Sequence, residues 1–306
     1  MRIVVTGVTG QVGGALVAQL QGRGTIIAAD RTALDLAKPD TISGALDRMA
    51  PDVIINPAAY TAVDKAEDER ELAMLVNGQA PGAMARWAAA RGVPFIHFST
   101  DYVFDGSGET AWGEDDAARP LSVYGASKLA GESAIRAAGG CSLVARTSWV
   151  YAARGNNFLR TVVRLAGERK ELCIVADQVG APTSAALIAG VIADVVSVAP
   201  ANLRERCGQA GGLIHLAATG QTSWHGFATA IVQGLKIRGV PLAVERVMPI
   251  RTDEYPTRAS RPRNSRLDLA RLQNVFGLTP PHWEAALAAE LDAVARELVP
   301  PSDAPT

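Results

Sequence analysis

The sequence is poor in the features that would send it outside the cell, into a membrane or onto nucleic acid. It has only three cysteines, Cys141, Cys173 and Cys207, odd in number, far apart and without metal-type spacing. That argues against a disulfide scaffold and fits reduced thiols in a cytoplasmic protein. The four histidines, His97, His215, His225 and His282, are isolated in the sequence, so no metal is expected. No apolar run reaches the roughly 18 residues of a membrane span. The first residues, "MRIVVTG", show no charged leader followed by a long apolar stretch and a cleavage site, so no secretory leader is expected. Thirty Lys and Arg balance 31 Asp and Glu, giving a formal net charge of −1. Without a basic stripe or acidic tail, binding to nucleic acid or a membrane surface has no electrostatic basis. The arginine-dense "SRPRNSR" (Ser260–Arg266) is too short to change that.

What the sequence does have is apolar residues, 48% of 306, enough for a sizeable core. "RIVVT", "TIIAA", "DVIINPAA", "PFIHFS" and "SLVARTS" are short, apolar and partly β-branched, as strands buried on both faces are. Helical patterns lie between the later ones, over 66–91 and 123–138. Strand–helix repetition predicts an α/β fold, a Rossmann-type doubly wound parallel sheet with helices on both faces. After about Tyr151 the texture changes. Strand-like "LCIVAD", "GLIHLA" and "AVERVMPI" alternate with helices and Pro-containing turns, and the last helix reads "HWEAALAAELDAVARELV". The expected organisation is a dinucleotide-binding domain over 1–150 and a smaller C-terminal α/β substrate-binding part over 151–299, with possible return segments to the first sheet. A flexible tail is expected at 300–306.

"VTGVTGQVGG" ends the first strand and opens the first helix. Gly7, Gly10 and Gly13 have the GxxGxxG spacing that lets backbone N–H groups and a helix N-terminus approach a pyrophosphate. "TIIAAD" ends a second strand at Asp30, about 20 residues on, where a carboxylate binds the adenosine ribose hydroxyls. The alternative for Asp30 is a plain turn residue. Asp30 favours NADH, and Arg31 beside it offers a partner for the 2′-phosphate of NADPH, so both cofactors are expected to be tolerated.

"VYGASKLAGE" (Val123–Glu132) places Tyr124 four residues before Lys128, on one helix face. The strand before it ends in "FSTDYVF", which brings a hydroxyl, Ser99 or Thr100, to the strand's carboxyl end. A ketone accepting hydride develops negative charge on oxygen, and a tyrosine hydroxyl can protonate it. The ordinary tyrosine pKa is about 10, and a nearby ammonium would lower it toward neutrality. The alternative is Tyr124 as an interfacial aromatic and Lys128 as a surface charge.

GxxGxxG, a Ser/Thr on the fourth strand and YxxxK together resemble the extended short-chain dehydrogenase/reductases. "NPAAYTAVDKAE" (Asn56–Glu67), "STDYVFDG" (Ser99–Gly106), "RTSWVY" (Arg146–Tyr151), "GNNF" (Gly155–Phe158), "DQVGAPT" (Asp177–Thr183) and "SRPRNSRL" (Ser260–Leu267) narrow the resemblance to the dTDP-4-dehydrorhamnose reductases, over residues 1 to about 290. The resemblance implies catalysis by Thr100, Tyr124 and Lys128. It implies NADPH or NADH contacts from Gly7, Gly10, Gln11, Val12, Asp30, Arg31, Asp35, Leu36, Ala59, Tyr60, Thr61, Tyr124 and Lys128. For a dTDP-sugar it implies Thr100, Asp101 and Trp149, the indole offering a flat apolar surface to the sugar; the alternative for Trp149 is a core residue. Some members bind Mg2+ at a dimer interface through glutamates. Here Ala15, Ala185 and Ala186 stand at those places, so no such metal is expected, and the expected state is a monomer or weak homodimer. A related nucleotide-sugar reductase or epimerase, and a non-catalytic regulatory subunit, are the rival readings.

Overall fold

Five strands in the first half of the chain form where the apolar runs predict them: β1 (Arg2–Thr6), β2 (Thr25–Ala29), β3 (Val53–Asn56), β4 (Phe95–Thr100) and β5 (Ser142–Thr147). The computed structural model describes residues 1–198 and 200–298; the tail expected at 300–306 lies outside them. β3 and β4 are buried along their whole length, and β1 and β5 everywhere but their first residue. That burial on both faces is why their sequences read as continuous apolar runs.

All pairings in the main sheet are parallel. The spatial order is β2, β1, β3, β4, β5 and then Leu213–His215. The chain order reverses between β1 and β3, which opens a crevice at their carboxyl ends, the usual ligand position in such sheets. Helices Gln11–Gln19 and Ala185–Val196 cover one face of the sheet through Leu16, Leu20, Ile188 and Ile192. Helices Ile42–Met49, Ala80–Arg91 and Val123–Ala138 cover the other through Leu46, Met84 and Ile135.

The helical pattern over 66–91 is not one helix. It divides into Val63–Ala66, Arg70–Met74, a π-helical turn at Leu75–Gln79 and Ala80–Arg91. Such turns insert one extra residue per turn and recur at functional sites. Here the widened turn holds Asn77, which is fully buried.

A second core gathers helices Phe158–Glu168, Trp224–Ile237 and Trp283–Leu298 around Tyr151, Leu159, Phe227 and Leu291. Beside it run a parallel pair, Glu171–Val175 with Arg246–Ile250, and a three-stranded ribbon of Val179–Gly180, Thr222–Ser223 and Asn264–Ser265. Between these segments the chain returns to the first core with Ala185–Val196, Leu213–His215 and Ala270–Phe276. Among the described residues no helix is long and apolar enough to cross a membrane.

Candidate active site

At the end of β1 the chain turns through Gly7, whose φ is +56° and whose missing Cβ would lie 2.9 Å from the Ala58 backbone. A Cβ on Gly13 would sit 2.2 Å from the Gly7 carbonyl oxygen. Only glycine permits either position. The helix Gln11–Gln19 starts at Gly10 with no side chain capping it. The first amides, Gln11 and Val12 among them, are therefore the donors a pyrophosphate needs. The Gln11 side chain is fixed from the second half, its Oε1 accepting from Asn157 Nδ2 at 2.9 Å.

Past β2, Asp30 accepts from the Thr32 amide, the Thr32 hydroxyl and the Ala33 amide at 2.9, 2.6 and 3.0 Å. These bonds, the Thr32 hydroxyl foremost, hold its carboxyl below the usual range. The carboxylate is exposed, charged and fixed in direction. Arg31 is also exposed and, among the described residues, pairs with Asp35 alone, at 3.4 Å. Leu36 points into the core under the sheet. The loop after β3 carries Ala59, Tyr60 and Thr61. Asn77 clasps it, accepting from the Tyr60 amide at 2.8 Å and donating to the Tyr60 carbonyl at 2.9 Å. The same Asn77 amide donates to Ser127 Oγ at 2.9 Å, which ties the loop to the Tyr–Lys helix.

That helix, Val123–Ala138, begins at Ser122, which accepts from the Gly125 amide at 3.2 Å. Glu67 accepts from the Val123 amide at 2.9 Å, a carboxylate at the positive end of the helix. So "TAVDKAE" contributes a helix cap. β4 ends at Thr100, and Tyr124 meets it there. Burial pushes the Tyr124 phenol up to about 12; a hydrogen bond with Thr100 opposes this and the Asp101 charge adds to it. Thr100 Oγ1 also donates to Asp101 Oδ1 at 3.1 Å. Asp101 is 1% exposed, and its Oδ2 has no hydrogen-bond partner among the described residues. Burial raises its carboxyl to about 6, with the nearby Ser265 and Thr100 hydroxyls opposing. A buried, unpartnered carboxylate oxygen beside a Thr–Tyr pair is a ready acceptor for a ligand hydroxyl.

Lys128 is 2% exposed, and its Nζ lies 3.1 Å from His97 Nε2. Burial lowers its pKa to about 8, with the Glu132 charge opposing. The sequence places Lys128 beside Tyr124 as the group that lowers the phenol pKa. In the structure the ammonium is turned to His97, and the phenol is raised rather than lowered. Helical spacing puts the two residues on one face but does not choose the lysine rotamer.

Trp149 follows β5 at the same end of the sheet, since Thr147 pairs with Thr100. Its φ is +49°, rare for a bulky residue. The indole stacks on Trp224 with centroids 3.7 Å apart at 11°. A Cβ on Gly180 would lie 2.8 Å from Trp149 Cε2. Trp224 is held in turn, donating from Nε1 to Gln178 Oε1 at 3.1 Å. At 9% exposure Trp149 is therefore not the open platform that a sugar-stacking role suggests; Trp224 covers one face.

Thr100, Asp101, Tyr124 and Lys128 converge at the carboxyl end of β4. Gly7, Gly10, Gln11 and Val12 form the turn across the crevice, and Asp30, Arg31 and Asp35 lie on the surface beyond β2. Sequence reasoning missed Asn56, Asn77, His97, Glu132, Gln178 and Trp224. The polar residues within buried strands were a usable signal; their partners were not.

A family model described as RmlD substrate binding domain matches residues 1–296. A dTDP-4-dehydrorhamnose reductase of Burkholderia thailandensis is 47% identical over 291 residues, covering 94% of this chain and 97% of the relative. The solved structure of a Clostridium acetobutylicum dTDP-4-dehydrorhamnose reductase superposes with a TM-score of 0.88 at 34% identity, over 96% of this chain and 99% of that one. A Bacillus anthracis dTDP-4-dehydrorhamnose reductase, solved in complex with NADP, superposes at 0.85 and 33% identity, over 95% and 99%. With the glycine turn, Asp30 and the Thr100–Tyr124–Lys128 set in place, the chain belongs to the dTDP-4-dehydrorhamnose reductase family.

Proposed function

We propose that this protein is an NAD(P)H-dependent reductase that converts the C4 ketone of dTDP-4-dehydro-6-deoxy-L-mannose to the alcohol of dTDP-L-rhamnose. The observation that carries the reading is the meeting of Thr100 and Tyr124 at the carboxyl end of β4, with Lys128 one helical turn on. The residues fit a dinucleotide. A side chain at Gly7 or Gly13 would fill the cradle, the helix N-terminus beyond it is uncapped, and Asp30 is fixed to accept ribose hydroxyls. When bound, the nicotinamide supplies the hydride.

Tyr124 donates its proton to the carbonyl oxygen as charge develops there. Thr100 donates a second hydrogen bond to the same oxygen and so orients the ketone. Lys128, with one donor turned to His97, keeps two further N–H donors for the nicotinamide ribose. Asp101 accepts from a sugar hydroxyl. Trp149, clamped by Trp224 and Gly180, is a rigid wall of the sugar site rather than a stacking platform. Arg261 is drawn to Asp64, donating to Oδ2 at 2.6 Å, which latches the 258–263 segment onto the helix Val63–Ala66. We propose that the second core closes the sugar-nucleotide side of the cleft.

Arg31 is free enough to meet a 2′-phosphate, so both cofactors serve. All three cysteines are free, as a cytoplasmic location requires. Monomer or weak homodimer is the state proposed with it.

The test is NADPH and NADH oxidation by the purified protein with dTDP-4-dehydro-6-deoxy-L-mannose, beside Tyr124→Phe. Turnover with a loss of about 10²- to 10⁴-fold in the variant, at unchanged NADPH affinity, is expected. A folded protein that binds NADPH without oxidising it, or that epimerises a nucleotide sugar with no net consumption, overturns the assignment.

A further inference from the structure

Beneath the Tyr–Lys helix, a line of buried polar side chains runs from Lys128 to the end of β1. Lys128 Nζ is 3.1 Å from His97 Nε2 on β4. The Asn56 amide on β3 is 3.0 Å from His97 Nδ1. Thr6 Oγ1 is 2.5 Å from Asn56 Oδ1 and accepts from the Ala58 amide at 3.3 Å. None of these four side chains is more than 2% exposed.

We propose that His97 is a positioning residue for Lys128: a neutral imidazole whose Nε2 accepts from the ammonium, with its ring proton kept on Nδ1 by Asn56. The inference rests on the catalytic role of Lys128 proposed above.

An imidazolium is untenable here. Burial and the Lys128 charge both drive His97 well below its ordinary pKa. A neutral ring has one donor nitrogen and one acceptor nitrogen, and an ammonium only donates. Nε2 must then be bare and Nδ1 protonated. Asn56 is the residue facing Nδ1. Its backbone carbonyl favours a protonated ring. Its side-chain amide is placed with nitrogen toward the ring and oxygen accepting from Thr6 Oγ1; a half-turn of the amide, which exchanges the two atoms, would present oxygen to the ring and add to the carbonyl's effect. Without Asn56 the proton could move to Nε2 and confront the ammonium.

Two other roles fail on the same geometry. The line ends where the Ala58 backbone amide donates to Thr6 Oγ1, and a backbone amide relays no proton, so it is no path for protons to water. A residue needed only to fill space would match its apolar strand neighbours Phe95, Ile96 and Phe98. The other charge acting on the ammonium is Glu132 on its own helix. The carboxylate of Glu132 is already engaged by Arg146 from β5 and Ser99 from β4. The His97 lone pair is thus the neutral acceptor aimed at Lys128. It also couples the lysine to β1 at the residue before the dinucleotide turn.

The experiment is heteronuclear NMR on the full-length protein labelled at histidine nitrogens and lysine side chains. The Lys128 signal is assigned by its loss in Lys128→Met. In the wild type, His97 shows a bare Nε2 and a protonated Nδ1 throughout the neutral range. In His97→Phe the Lys128 titration moves down by at least about one pH unit, the loss of one hydrogen bond to a charged group. In His97→Gln, which keeps an acceptor oxygen, it stays within about half a unit of the wild type. A proton on Nε2 in the wild type, or an unmoved Lys128 titration in folded His97→Phe, overturns the proposal. Should His97→Phe not fold, the wild-type ring signals alone decide. All of this is read without substrate, so failure of the reductase assay leaves the test intact. Where reduction is observed, the alkaline limb of kcat/KM moves to lower pH in the Phe variant and returns in the Gln variant.

Discussion

Replacing Arg146 with methionine breaks a buried ion pair that rivets the Tyr–Lys helix to the sheet. Arg146 and Glu132 are 3% and 4% exposed. The guanidinium donates from Nε and Nη2 to the two carboxylate oxygens at 2.9 and 2.7 Å, and Ser99 Oγ donates to Oε1 at 2.5 Å. Neither charge is screened by solvent. Removing one partner of such a pair costs about 3–5 kcal/mol, because the other is left buried and uncompensated. With an unfolding entropy of about 2.1 cal/mol/K per residue, a chain of about 300 residues loses roughly 0.6 kcal/mol per degree near its midpoint. Arg146→Met therefore lowers Tm by about 5–8 °C, read by circular dichroism and checked by urea unfolding. Glu132→Leu combined with Arg146→Met removes both charges and costs less than the sum of the two single changes. Because Glu132 lies one turn beyond Lys128, kcat/KM also falls in Arg146→Met, by up to about 10²-fold for a displacement near 1 Å. A loss under about 1 kcal/mol, or a double variant worse than additive, would refute the claim that this pair fixes the helix.

Three further outcomes follow from the site. Asp101, raised from 3.8 to about 6 in the fold by burial, binds a proton more tightly folded than unfolded. Wild-type stability therefore falls as pH rises through that window, and Asp101→Asn is no more stable than wild type near pH 4 but gains about 2–3 kcal/mol above pH 7, by urea midpoints. Gly13→Ala drives a methyl into the Gly7 carbonyl, only 2.2 Å away; NADPH binding measured by fluorescence falls by at least about tenfold, and Tm drops with it. Asp30→Ser removes the carboxylate that repels a 2′-phosphate; the NADPH-to-NADH preference rises by about tenfold in kcat/KM, and an unchanged ratio would place Asp30 outside the cofactor site.

The sheet was legible because strands buried on both faces leave an unbroken apolar run, and parallel pairing needs nothing further from the sequence. The dinucleotide turn was legible because glycine spacing is a local requirement. What was not legible is whatever depends on partners far along the chain. "FIHFST" shows a histidine in an apolar strand, yet nothing in it points to Asn56 on one side and Lys128 on the other. The helical pattern over 66–91 carries no mark of the π turn, in which Asn77 reaches Tyr60 and Ser127 together. Trp149 reads as a sugar platform until Gly180 and Trp224 arrive from later strands and helices to enclose it.

The Tyr–Lys helix shows why so many polar groups are tolerated in this core. Its inner face presents Ser127, Lys128 and Glu132, each buried, and each grips a different part of the fold. Ser127 takes the Asn77 amide and with it the Tyr60 loop. Lys128 takes His97 of β4. Glu132 takes Arg146 of β5 and Ser99 of β4. Apolar side chains at these positions would pack as tightly and cost less to desolvate, but they would let the helix slide or rotate by fractions of an ångström. Hydrogen bonds to three separate elements cannot all be kept through such a shift, and an unmade one in this setting costs more than the net gain from making it. The helix therefore has one position relative to Thr100, and Tyr124 is held there by Asn77, His97, Ser99 and Arg146 on the elements around it.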